Sequence, residues 1–147
     1  NSWKGNLEKS GGISTNIGVH FFDMLHFLFG NVQENFVHLK EQKKESGYLE
    51  FEKARVRWFL SIDSSDIKYF SSEPDLSTFR SITYNSKEIE FSNVFNDLHT
   101  TAYQEILKGN GYGLKDSLQA IEIVSEIRNS KLQVSNQDLH PYLSKHK

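Results

Sequence analysis

Gly11-Gly12-Ile13-Ser14-Thr15-Asn16-Ile17-Gly18-Val19-His20-Phe21-Phe22-Asp23 is the stretch on which the reading of this chain turns. Beyond the paired glycines, apolar residues recur at three- and four-residue steps, which predicts a helix from about 15 to 29. Ser14 or Thr15 is the expected N-cap, because a side-chain oxygen there accepts one of the first unpaired amide hydrogens. Gly30 supplies the left-handed stop. At about 100° per residue, Ile17, Phe21, Met24 and Leu28 form one stripe, with Asn16, His20, Asp23 and Phe27 in a second beside it. An amide, an imidazole and a carboxylate are therefore expected on the border between the buried and exposed faces. There a helix can present chemistry to a pocket while its other side anchors in a core.

Strand signals follow the helix. Val32 to Lys40 reads as one strand and Tyr48 to Asp63 as a stronger one. In the latter Leu49 and Phe51 have the opposite parity from Val56 and Trp58, so a turn or bulge near Glu52-Lys53 must divide it in two. Ile67 to Phe70 and Phe79 to Tyr84 are expected to continue the sheet, with Ser72-Glu73-Pro74-Asp75 as a loop, before Asn85-Ser86-Lys87 turns the chain into Ile89 to Ser92. Two helices close the pattern. Leu98, Ala102 and Ile106, with Tyr103 and Leu107, mark the first, capped by Asn96 or Asp97 and stopped by Gly109. Leu118, Ile121, Val124 and Ile127 mark the second. The expected class is α+β: a largely antiparallel open sheet with helices packed on one face. The other face carries Arg55, Arg57 and Phe59.

The chain has 147 residues, enough for one domain with its own core, and its 37% hydrophobic content is that of a globular protein. A net charge of −2 gives no general pull toward nucleic acid, and Glu41 and Glu45 interrupt the Lys40 to Lys44 cluster, which reads as a solvated loop. Without cysteine there is no disulfide scaffold and no thiolate zinc site, and the histidines share no ligand-like spacing with carboxylates, so no metal is expected. The apolar run near Phe21 to Phe29 is broken by Asp23 and His26 and is too short to span a bilayer. Cytoplasm is the expected compartment. Gly109-Asn110-Gly111-Tyr112-Gly113-Leu114 superficially looks like a dinucleotide loop, but Leu114 replaces the third glycine and the run follows a helix rather than a strand.

The motif resembles the start of the C-terminal domain in the glucose–fructose oxidoreductase and inositol dehydrogenase family of NAD(P)-dependent enzymes. There the shape is Gly-Gly, a few residues, Asp or Asn, three residues, His, two residues, Asp. The likeness takes in Trp3-Lys4-Gly5, Lys9-Ser10-Gly11-Gly12, Arg55-Val56-Arg57-Trp58, Leu98-His99-Thr100 and His140-Pro141. The branch it looks most like acts on UDP-N-acetylglucosaminuronic acid in surface-polysaccharide pathways and shares Asn rather than Asp at position 16. The resemblance implies residues 1–147 as a single substrate-binding and oligomerisation domain, pairing with a second copy through the open sheet face. It also implies a nucleotide-binding domain ahead of Asn1, so the chain alone is expected neither to bind NAD nor to turn over a sugar.

Oxidising a secondary alcohol sends a hydride to the nicotinamide and a proton to a base, and an imidazole suits the second task. The resemblance makes His20 that base and Asn16 its helper, orienting the ring or binding a sugar hydroxyl. From periodicity alone, His20 reads more readily as a satisfied core or edge histidine, and it is the matched motif that reverses this. Lys9, Ser10, Thr15, His99 and Tyr112 are the candidate substrate contacts, with Lys9 offering a mobile positive charge to a carboxylate or diphosphate. The implied reaction is oxidation of the 3-hydroxyl of a UDP-N-acetyl-aminosugar uronate. The alternatives are a non-catalytic α+β dimerisation or ligand-binding module, and a dehydrogenase of an unactivated sugar or polyol.

Overall fold

A computed structural model describes residues 7–73, 76–92, 97–133 and 138–145, with Leu7 described by its backbone alone. The chain divides into two compact units, one built from Asn1–Ile62 with Leu114–Lys147, the other from Asp63–Gly113. Trp3-Lys4-Gly5, Pro74-Asp75 and the candidate cap Asn96 lie outside the described residues.

The first unit opens with a short helix α1 (Leu7–Ser10), a π-helical turn (Ser14–Gly18) and helix α2 (Val19–Phe29). Strands β1 (Val32–Lys40), β2 (Lys44–Phe51) and β3 (Arg55–Ser61) then form one antiparallel sheet in the order β1-β2-β3. The predicted break is where the parity change put it: Phe51 N–H donates to Ala54 O at 2.8 Å across a tight turn. Helix α5 (Leu114–Asn129) returns to this unit, and Gln133 N–H then donates to Val37 O, lining the chain along the free edge of β1. A last helix, α6, spans Pro141–Lys145.

The core lies between the sheet and the pair α2 and α5. It gathers Phe22, Leu25, Val37, Leu49, Phe51, Trp58, Ile123, Val124 and Ile127, with Val56 and Leu60 packed against it. Register explains the membership, since Leu49 stands opposite Val56, and Gly47 opposite Trp58. Gly47 is required there: a Cβ would meet Phe36 O at 2.2 Å and the Trp58 ring at 2.7 Å.

Three expectations need correction in this unit. The core face of α2 is Phe22 and Leu25, continuing from Gly18, while Ile17, Phe21 and Met24 are half-buried and Leu28 is exposed. Apolar residues occupy α2 nearly all round, so hydrophobicity could not set its phase. Gly18 sets it, because it lets the helix sit against the sheet; a Cβ there would meet Leu60 at 3.0 Å. In α5 the buried residues are Ala120, Ile123, Val124 and Ile127, and Leu118 and Ile121 are exposed. The Lys40 to Lys44 cluster is not a loop throughout: Lys44 opens β2, and Glu45 behind it is buried.

The open sheet face is also less open than the sequence suggested. Phe59 lies under the C-terminal segment, with its ring centroid 5.7 Å from that of His140 and 4.5 Å from that of Tyr142. Phe36 and Tyr48 stack at 6.0 Å beside it, and Arg55 and Arg57 are exposed.

The second unit holds helix α3 (Ser64–Phe70), the hairpin of β4 (Ser81–Tyr84) and β5 (Lys87–Glu90), and helix α4 (Leu98–Leu107). Residues 67–70, expected as a strand, are helical. The Asp63 side chain accepts from Ser65 N–H at 3.0 Å, an N-cap that outweighs the short apolar run. The hairpin forms a two-stranded sheet of its own and does not extend β1-β2-β3. Its turn residues Asn85 and Ser86 have φ of 49° and 63°, as a two-residue primed turn demands. Gly109, at φ 84°, stops α4 as expected, but Asp97 makes no side-chain cap. No helix among the described residues is long and apolar enough to cross a membrane.

Candidate functional site

The loop before the π turn bends because Gly11 and Gly12 take φ of 74° and 94°, where other residues are strained. Three side chains then tie it to the turn that follows. Thr15 Oγ1 donates to Gly11 O at 2.8 Å, and Asn16 Nδ2 donates to Ser10 O at 2.8 Å and to Gly12 O at 3.0 Å. Ser10 Oγ accepts from Gly12 N–H at 3.2 Å. Both amide hydrogens of Asn16 thus serve the loop, and its carbonyl oxygen is the end left to meet a ligand. Neither predicted N-cap acts as one. Thr15 reaches back to Gly11, and Ser14 points into the protein, where its N–H, at 3.1 Å, and its hydroxyl both donate to Glu45 Oε2.

His20 stands on the first turn of α2 and is exposed, as are Asp23 and Phe27 farther along. The stripe predicted from Asn16 through Phe27 is real, but it lies opposite the core face rather than on its border, a consequence of the corrected phase. The result is an imidazole held by a rigid helix and facing outward, next to a glycine loop whose shape is fixed. Lys9 is exposed on α1. Ser10, at the end of α1, is buried, and Lys9, Ser10, Thr15, Asn16 and His20 all belong to the first unit. His99, exposed on the first turn of α4, and Tyr112, exposed after α4, belong to the second unit. Glu45 is the residue sequence reasoning missed. It sits among Lys44, Ser46 and Gly47, where no alternation of apolar residues marks a central strand.

Two concavities lie among the described residues of the first unit. One, of about 380 Å³, lies beside the motif and is lined by Thr15, Val19, Ile121, Val124, Ser125, Arg128 and Asn129. The other, of about 320 Å³, lies on the opposite sheet face around Phe36, Tyr48, Glu50 and Arg55, away from His20. There burial, and then the hydrogen bond to Glu50, push the Tyr48 phenol up to about 12; its hydroxyl donates to Glu50 Oε2 at 2.7 Å. The stretch Gly109 to Gly113 does not have the setting of a dinucleotide loop. Residues 109–113 run from one helix into the next, with no strand ahead of them to aim backbone amides at a diphosphate.

The comparisons with known proteins agree with this geometry. The profile described as "Oxidoreductase family, C-terminal alpha/beta domain" matches residues 1–73. Among solved structures, the WlbA (WbpB) dehydrogenase from Thermus thermophilus in complex with NAD and UDP-GlcNAcA is 44% identical, with a TM-score of 0.87 over 96% of this chain. The chain belongs to this oxidoreductase family. A second structure of the Thermus thermophilus enzyme, with NAD and alpha-ketoglutarate, is 46% identical with a TM-score of 0.85, again over 96% of this chain. The chain spans 46% of the length of each of these family members. The family resemblance read from Gly11 to Asp23 therefore holds, and so does the α+β class.

Proposed function

We propose that this chain is the substrate-side and assembly domain of an NAD-dependent dehydrogenase that oxidises the 3-hydroxyl of a UDP-N-acetyl-aminosugar uronate for surface-polysaccharide synthesis. The observation that carries this is His20: an exposed imidazole one turn beyond the glycine loop, in a chain 44% identical to a dehydrogenase solved with NAD and UDP-GlcNAcA. His20 receives the proton of the hydroxyl undergoing oxidation. When bound in the longer enzyme, NAD would supply the hydride acceptor. The Asn16 carbonyl oxygen accepts from a sugar hydroxyl, and Thr15 Oγ1 has lone pairs to do the same, while the buried Ser10 hydroxyl shapes the loop by accepting from Gly12 N–H. Lys9 meets the uronate carboxylate or the diphosphate. His99 and Tyr112 complete the proposed substrate contacts.

We infer that the working assembly is a cytoplasmic homo-oligomer, with copies meeting on the sheet face that carries Phe36, Tyr48, Arg55 and Arg57. A panel of UDP-sugars, free sugars and polyols, assayed for NADH formation with the dehydrogenase that contains this domain, tests the substrate class. Turnover of UDP-N-acetylglucosaminuronic acid at least about tenfold above UDP-N-acetylglucosamine is expected, because a site built to pair a charge rejects the analogue that leaves it unpaired. Equal or better turnover of free polyols would overturn the nucleotide-sugar assignment.

A further inference from the structure

One buried acidic side chain has no part in the chemistry above. Glu45 is 3% exposed on the central strand β2, on the face toward α2. Its Oε2 accepts from the backbone N–H and from the hydroxyl of the same residue, Ser14, the first residue of the π turn. A buried carboxyl is costly unless its hydrogen bonds are made, and an apolar residue facing Leu60 at this strand position would carry no such cost. The turn itself is also unusual. Val19 N–H donates to Ser14 O, five residues back, and no side chain caps the turn from ahead. Such wide turns are rare, occur mostly as single turns within helices, and persist where surrounding contacts fix them.

The contacts form a chain. Glu45 ties Ser14 to the sheet, Asn16 ties the turn to Ser10 and Gly12, and His20 follows directly on α2. We propose that Glu45 is the positioning residue of the motif, holding the π turn in its wide form so that the loop and His20 keep one fixed relation. The proposal rests on the reading of His20 as the base. Without Glu45 the turn relaxes toward an ordinary α register. Removing the extra residue from the turn rotates Ser14 and Asn16 by about 100° relative to α2, which breaks the clip on the loop.

Hydrogen exchange of the 147-residue chain, read by peptide, tests the structural half. Glu45→Ala and Ser14→Ala should each speed exchange within residues 10–20 by about tenfold while leaving β1 to β3 at the wild-type rate, and Glu45→Gln should recover most of the protection. In the dehydrogenase containing the domain, Glu45→Ala should lower kcat by about tenfold or more with KM within about threefold. Glu45→Gln should restore kcat to within about threefold, and the Ser14→Ala/Glu45→Ala pair should be no worse than Glu45→Ala alone. Unchanged exchange within residues 10–20, or loss of protection spread evenly over the sheet, overturns the proposal. So does a kcat that follows only the folded fraction. Should Glu45→Ala fail to fold, Ser14→Ala and Glu45→Gln decide the matter by the same readouts. A wild-type enzyme inactive on every sugar while exchange changes locally would sink the dehydrogenase reading and leave Glu45 as the anchor of the turn.

Discussion

His20 and Asn16 share a stripe but not a task. Asn16 faces back, with its amide hydrogens on Ser10 O and Gly12 O, whereas His20 faces out with no hydrogen bond or ion pair among the described residues. A base needs that arrangement, because an imidazole committed to a protein donor cannot take a substrate proton. Replacing His20 with Ala in the dehydrogenase should lower kcat by about 10²-fold or more, the scale of a general base, with stability close to wild type because the residue is exposed. A near-normal rate across the pH range would remove His20 from the chemistry. The backward orientation of Asn16 explains why an asparagine serves at 16. Its role toward the loop calls for amide donors, which an aspartate in that place does not have.

At the scale of elements, local signals compete with patterns of apolar residues, and α3 shows which wins. Residues 67–70 look like part of a strand, yet Asp63 caps a helix by accepting from both the N–H and the hydroxyl of Ser65. Asp63→Ala should cost about 1 kcal/mol, the usual scale for a lost N-cap. The loss should appear as reduced helicity by circular dichroism and faster amide exchange confined to residues 64–70. Exchange at the wild-type rate there would mean that packing such as the Phe70–Phe79 stack, 5.8 Å between centroids, holds the helix without its cap.

Two properties belong to the whole molecule. The first is a pH dependence set by the C-terminal segment. Burial, and then the nearby Arg57 guanidinium, push His140 down to about 4. Its Nδ1 accepts from Tyr142 N–H at 3.2 Å while its ring lies against Phe59, so the folded state holds it neutral. The unfolded chain protonates this histidine near pH 6.5. Between that pH and about 4 the unfolded state binds more protons, so stability rises with pH. The contribution is present in full above about pH 6.5 and is lost as pH falls through about 4. Urea titrations at pH 7 and pH 4.5 should show wild type losing more stability than His140→Phe over this interval; equal losses would contradict it. The second property is assembly. Light scattering at micromolar concentration is expected to report at least a dimer, weakened by Arg55→Glu with Arg57→Glu, since both residues are exposed on the proposed face. Phe59 is not the residue to change, because it lies under His140 and Tyr142. A strict monomer would mean that the face is merely solvated.

By itself the sequence determined the local structure with strong chemical causes. Gly30 and Gly109 end helices because they reach positive φ, and the parity change between Phe51 and Val56 can only be met by a turn. The spacing from Gly11 to Asp23 marks a family in which the residues between two glycines and an aspartate have defined places. The tertiary structure alone decided the phase of α2 and α5, since a helix apolar on several faces can turn any of them inward; in α2 the close approach of Gly18 to Leu60 makes the choice. It alone put Glu45 beneath Ser14, a contact across thirty-one positions of chain that no local pattern encodes. It alone folded the C-terminal segment over Phe59, because what covers a sheet face depends on where a distant stretch of chain returns.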